Sequence, residues 1–105
     1  MKRHHFYILL SLAGRDRHGL DVMRDVLELT EGELKLWPAT LYGSLDELVD
    51  AESIQELADA AARPAGESEK KRYYRITAAG RAALVQETRR IEALAGIARL
   101  RLTEG

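Results

Sequence analysis

From Ala78 to Leu102 the chain contains no proline, and Leu84, Thr88, Ile91, Ala95, Ala98 and Leu102 recur at alternating steps of four and three residues. That spacing is the seam of a coiled coil, in which one helix face stays against a partner helix. Leu94 and Ile97 widen the apolar stripe, while Arg89, Arg90, Arg99 and Arg101 lie mostly off it and leave one flank hydrated. A chain of 105 residues is the size of one domain, and without cysteine no disulfide can staple it. So long an apolar face exceeds what a small domain covers by itself. The spacing therefore predicts a second copy as partner, with Leu84, Thr88, Ile91, Leu94, Ala95, Ala98 and Leu102 at the dimer seam.

The chain before this helix reads as three shorter ones. Phe6 to Ala13 is apolar at nearly every position, which suits a helix buried on several sides; Gly14 ends it and Arg15 to His18 is expected as an exposed turn. From Leu20 to Leu29 the residues Val22, Met23, Val26, Leu27 and Leu29 recur at helical spacing opposite Asp21, Arg24, Asp25 and Glu28. Thr30 to Leu36 is a connection, and Pro38 suits the first turn of a third helix because its missing N–H would be unpaired there anyway. Along that helix Leu41, Leu45, Leu48 and Val49 form one stripe, with Thr40, Ser44, Asp46, Glu47 and Asp50 pointing outward and Tyr42 beside the stripe.

After Ile54 comes a short strand-like segment, then a loop marked by Pro64 and Gly66, then KKRYYRIT with the alternation of a second strand. The pair is expected as a hairpin, with Arg72, Tyr74 and Ile76 on one face and Lys71, Tyr73 and Arg75 on the other, so that at least one tyrosine packs. Thr77 offers an N-cap oxygen to the long helix that follows.

Helix, helix, helix, hairpin, long helix is the order of a mainly helical winged helix-turn-helix, an α+β arrangement here joined to a dimerisation helix. The blocks LWPATLYGSLDELVDAESI and KKRYYRITAAGRAAL resemble the PadR-type family of bacterial transcriptional regulators, in its compact branch. Pro38, Thr40, Leu41, Tyr42, Leu45 and Leu48 carry the first half of the likeness, and Tyr73, Tyr74, Arg75, Thr77 and Gly80 the second. The resemblance implies a DNA-binding part over residues 1–77, a dimerisation helix over 78–105, and a homodimeric regulator of double-stranded DNA, most often a repressor acting at an inverted-repeat operator in the cytoplasm.

Three departures from that pattern matter. Trp37 stands where a serine-like cap is usual, and Glu52-Ser53 replaces a glycine-containing turn. The third helix has no lysine or arginine and carries Asp46, Glu47 and Asp50, which are expected to face away from DNA or to pair with Arg15, Arg17 or Arg24. Because the N-terminal part of a recognition helix meets the bases, Thr40, Tyr42 and Ser44 are the base-facing candidates. Phosphate contacts fall to Lys35, Lys70, Lys71 and Arg72, with Lys2 and Arg3 as further candidates. The plainer readings are a solvated hairpin edge for the basic cluster and core packing for the tyrosines.

The formal net charge is only −1, yet residues 25–60 are strongly acidic, with Lys35 as their one basic residue, while the stretches on either side are basic. The N-terminal MKRHH followed by FYILLSLA mimics a secretory signal, but the apolar run is too short to span a bilayer, and a buried first helix is the expectation. No phosphate-binding glycine loop, nucleophile elbow or HExxH spacing is present, so neither an enzyme, a cofactor nor a metal is expected; the adjacent His4 and His5 project in different directions on a helix. Two other readings stay open: a sensor for a small-molecule effector, unidentified because the tryptophans that flank such pores in relatives are absent from this C-terminal helix, and a protein-interaction module built on the acidic stretch.

Overall fold

A computed structural model describes residues 1–57 and 72–105. Its elements are α1 (Arg3–Gly14), β1 (Arg17–His18), α2 (Gly19–Leu29), α3 (Pro38–Asp50), β2 (Ile54–Leu57), β3 (Tyr73–Ile76) and α4 (Ala78–Glu104). Lys70, Lys71 and the expected loop between the strands lie outside the described residues.

Burial follows the apolar pattern. Ile8, Leu9 and Leu12 of α1, Val22 and Val26 of α2, and Leu41, Leu45 and Leu48 of α3 meet in one core, closed by Leu36, Ile54, Tyr74, Ile76 and Leu84. Helix α1 begins before its apolar run, because the polar turn at its start gains partners on α3: Lys2 and His5 both reach Glu47. Between α2 and α3 the chain is stitched at Thr30, whose hydroxyl accepts from the Leu34 N–H at 2.9 Å and donates to the Val26 carbonyl at 2.9 Å. Leu34 and Leu36 are thereby held inward.

The segment after α1 departs from expectation. Instead of an exposed turn, Arg17 and His18 form an edge strand antiparallel to β3, with Arg17 opposite Tyr74 and His18 opposite Tyr73. The Arg17 side chain is only 15% exposed, since its Nε donates to the Ser11 carbonyl at 3.0 Å and its other nitrogens lie 3.3 Å from Asp21 and 3.6 Å from Asp25. One guanidinium thus ties the end of α1 to the start of α2. His18 then caps α2, accepting from the Asp21 N–H at Nδ1.

The two strands expected as a hairpin accordingly belong to a three-stranded antiparallel sheet of order β1-β3-β2 with β3 in the middle, in which Ile54 faces Ile76 and Leu57 faces Tyr73. Both tyrosines are buried, on opposite faces of β3: Tyr74 enters the main core, and Tyr73 packs edge-on against His18 with ring centroids 5.4 Å apart. Arg75 is exposed and holds Asp16 through a two-toothed ion pair, its shortest contact 2.7 Å, which raises its proton affinity above the ordinary guanidinium value.

The joint between sheet and α4 is tightly keyed. The Thr77 hydroxyl accepts from the Gly80 N–H at 3.0 Å and donates to the Glu52 carbonyl at 2.7 Å, while the Thr77 N–H donates to the Ser53 carbonyl at 3.0 Å. Gly80 packs against that same carbonyl, and a Cβ there would collide with it. The end of α3 is closed by two reverse bonds, Ser53 N–H to the Leu48 carbonyl and Glu52 N–H to the Val49 carbonyl, with Glu52 left-handed at φ 61°.

Two stability tests follow from this joint. Gly80→Ala is expected to destabilise the protein by about 1–3 kcal/mol through overpacking, despite alanine's better helix propensity; a urea midpoint at or above that of the parent would refute the close contact. Glu52→Gly is expected to stabilise by about 0.5–1 kcal/mol by removing the left-handed strain of a residue with a Cβ, read as a higher melting temperature.

Candidate nucleic-acid interface

Helix α3 is held by its three buried leucines, which fix one side against α1 and the sheet and leave Ala39, Thr40, Gly43, Asp46, Glu47 and Asp50 outside. Pro38 occupies its first turn and Trp37 its N-cap, where the indole makes no capping bond and stays 62% exposed. Lys35, two residues earlier, places its ammonium 4.2 Å from the centroid of that ring, a cation–π contact.

The base-facing candidates separate. Thr40 is exposed on the outer side of α3. Tyr42 is partly buried: its ring fills the notch left by Gly19, where an added Cβ would come within 2.5 Å of the phenolic oxygen, and the Arg72 guanidinium covers it from 5.4 Å. Ser44 is only 5% exposed, so its expected place in a DNA groove is corrected. Its position falls beside Leu48 and Leu41 around the helix, and a small hydroxyl is what that flank of the core accommodates.

Two of the three acids of α3, Asp46 and Glu47, meet basic groups, though not the expected ones. Arg72 donates from Nε to Glu56 at 2.8 Å and from a terminal nitrogen to Asp46 at 3.2 Å, and its guanidinium carbon lies 5.4 Å from the ring centroid of Tyr42 and 5.5 Å from that of Tyr74. The hydrogen bonds to Glu56 are the main reason its proton is held more tightly than in a free guanidinium. Tyr74, enclosed beside this group, has its phenol pushed up to about 12 chiefly by burial. Glu47 is met by Lys2 at 2.7 Å and His5 at 3.4 Å, and the Lys2 bond, then the His5 bond, hold its carboxyl below the usual carboxylate range. Arg15 and Arg17 engage Asp21 instead, and Arg17 also Asp25. The four-residue spacing of Arg17, Asp21 and Asp25 was the available signal for that cluster.

Arg72, expected on phosphate, therefore braces the sheet against α3. What remains open at the tip of the helix is a charge-free patch of Trp37, Ala39, Thr40 and Gly43 with Lys35 at its border.

Residues 8–86 match the transcriptional regulator PadR-like family. The chain belongs to that family. Its members regulate transcription and are not enzymes, which sets the coarse function as DNA-binding transcription regulation. Among solved structures, a PadR family transcription regulator from Clostridium difficile superposes with a TM-score of 0.79 at 19% identity, covering 96% of this chain and 99% of that one. A transcriptional regulator from Clostridium thermocellum gives 0.73 at 22% identity over 91% and 86%. BpsR from Bordetella bronchiseptica, whose DNA binding is regulated by 6-hydroxynicotinic acid, gives 0.70 at 18% identity over 91% of this chain and 59% of that one. No curated protein matches by sequence. These likenesses support the winged helix-turn-helix fold inferred from the order of elements. Among the described residues no helix is long and apolar enough to cross a membrane, and no group of metal-ligating side chains is assembled.

Replacing Lys2 by alanine is expected to raise the titration midpoint of the Glu47 carboxyl, followed by carbon-detected NMR. A depressed folded-state value means that the contact stabilises the fold fully above the ordinary carboxylate value of about 4.3 and is lost as pH falls through the lower, folded value. An unmoved midpoint would show that Lys2 does not hold Glu47 in solution. Arg72→Ala is expected to cost about 0.5–1 kcal/mol, given its solvent access, with the loss shrinking at high salt.

Proposed function

We propose that the protein is a homodimer that binds an inverted-repeat operator and represses transcription from it. Residues 1–77 act as the DNA-binding part and residues 78–105 as the helix that joins the subunits. The observation that carries this reading is α4. Among the described residues only its first turns are buried, Gly80 against the Ser53 carbonyl and Leu84 in the core, whereas Val85, Ile91, Leu94, Ile97, Leu100 and Leu102 are exposed. Leu84, expected at the dimer seam, is corrected to the core of its own subunit, because α4 must first anchor itself on α1. Thr88 directs its hydroxyl to the Leu84 carbonyl at 2.8 Å. The seam then begins near Ile91 and runs through Leu94, Ala95, Ala98 and Leu102. Steps of three residues from Ile91 to Leu100 each swing about 60° around the helix, so the distal half is apolar on several sides and calls for more cover than one flank of a partner.

In the DNA-bound dimer the tips of the two α3 helices enter successive major-groove faces, with Thr40 and the exposed edge of Tyr42 toward the bases and Lys35 toward phosphate. Lys70 and Lys71 join the phosphate contacts on the strength of the sequence. The control of BpsR by a small acid supports effector control here as well; the hollow of about 260 Å³ lined by Met1, Ala83, Gln86, Glu87 and Arg90, at the root of the projecting helix, is its candidate seat.

Affinity for a selected operator is expected to exceed that for random duplex and to fall with salt by about one unit of log–log slope per phosphate neutralised. Equal affinity for both at moderate salt would favour a protein-interaction role for the acidic stretch. Leu94→Asp with Ile97→Asp is expected to give a folded monomer with greatly weakened operator binding, and a parent chain that sediments as a monomer at micromolar concentration removes the dimer.

A further inference from the structure

Helix α3 contains no arginine, lysine, asparagine or glutamine, the side chains that make two-toothed hydrogen bonds to base edges. Its exposed tip is built from Ala39, Thr40 and Gly43, and a Cβ at Gly43 would meet nothing within 4 Å. A groove wall can approach this surface closely, but only Thr40 and the half-buried Tyr42 have a hydroxyl to offer it. Beside them stands the largest exposed ring of the protein, Trp37, with no capping bond to explain its place and Lys35 stacked on one face. That contact holds the indole against the connection and sets a cation at its edge, which suits a ring meant to lie next to a polyanion. The base-edge feature that apolar side chains recognise in the major groove is the C5-methyl group of thymine.

We infer that Trp37 is a specificity-determining residue that reads thymine by packing its indole on the C5-methyl group, while Lys35, pinned to the same ring, contacts the neighbouring phosphate. The inference rests on the DNA-binding reading proposed above and adds to it the class of base recognised and the residue responsible. It also accounts for the absence of a serine-like cap: the tip of α3 gives up a hydrogen bond at the N-cap position and gains an apolar contact surface.

The test uses the full-length protein and a duplex selected by it from a random-sequence library, resynthesised with deoxyuridine replacing each thymidine in turn. Deoxyuridine keeps the hydrogen-bonding edge and lacks the methyl group. At one or two positions in each half-site the parent protein is expected to lose affinity about fourfold per methyl removed. Trp37→Ala should bind the thymine duplex more weakly and show no further loss with uracil, Trp37→Phe should restore part of the penalty, and Lys35→Gln should weaken both duplexes alike. As the single tryptophan, Trp37 should also change its emission on titration with the selected duplex, which reads the contact without any substitution. No uracil penalty in the parent, or the same penalty in Trp37→Ala, overturns the assignment while leaving DNA binding intact. A protein with no preference for the selected duplex over a scrambled one overturns the DNA-binding reading itself.

Discussion

The side chain of Tyr74 is wholly enclosed, and the strand that carries it is hydrogen-bonded along both edges. Everything that presents α3 is referred to this one short strand. β1 on one side brings the capping histidine of α2, β2 on the other follows α3 after a three-residue turn, and α4 begins two residues beyond Ile76. A four-residue strand holds this much because both of its faces are buried at tyrosine, Tyr74 toward the helices and Tyr73 toward His18. Arg72, just before the strand, extends the same order outward by bridging Glu56 and Asp46.

The helices were legible in the sequence because their apolar residues recur with helical period and their ends carry chemistry that stops a helix, as at Pro38 and Thr77. The strand β1 was not legible. Two residues give no period, and a charged RDRH segment reads as solvent-facing unless the acids that receive Arg17 are known to lie on the next helix. The same blindness explains the ion pairs of α3. Sequence spacing finds neighbours on one helix, such as Arg17 with Asp21, but Arg72 meets Asp46, and Lys2 meets Glu47, only after the fold has brought distant segments together.

Ser44 shows a further limit. A serine at the border of an apolar stripe has no strong preference of its own, and its burial was decided by how far the core wraps around α3 rather than by the serine itself. Leu84 is the converse: it lies on the apolar stripe that the spacing picks out, yet the first turns of α4 lie on α1, so this residue is covered by its own chain. Periodicity reports which side of a helix is apolar, and not what covers it.

The keyed joint at Thr77, Ser53 and Gly80 makes the end of α3 and the start of α4 a single stiff elbow. Helix α4, which starts within this elbow, is 27 residues long, about 40 Å at 1.5 Å per residue. A tilt of about 5° at the elbow would carry the far end of that arm through roughly 3–4 Å, close to one base-pair step along the duplex axis. Geometry of this kind turns angular stiffness into reach: the tight carbonyl contact beneath Gly80 fixes the angle at which the distal arm leaves the body of the fold, and with it where the far end stands.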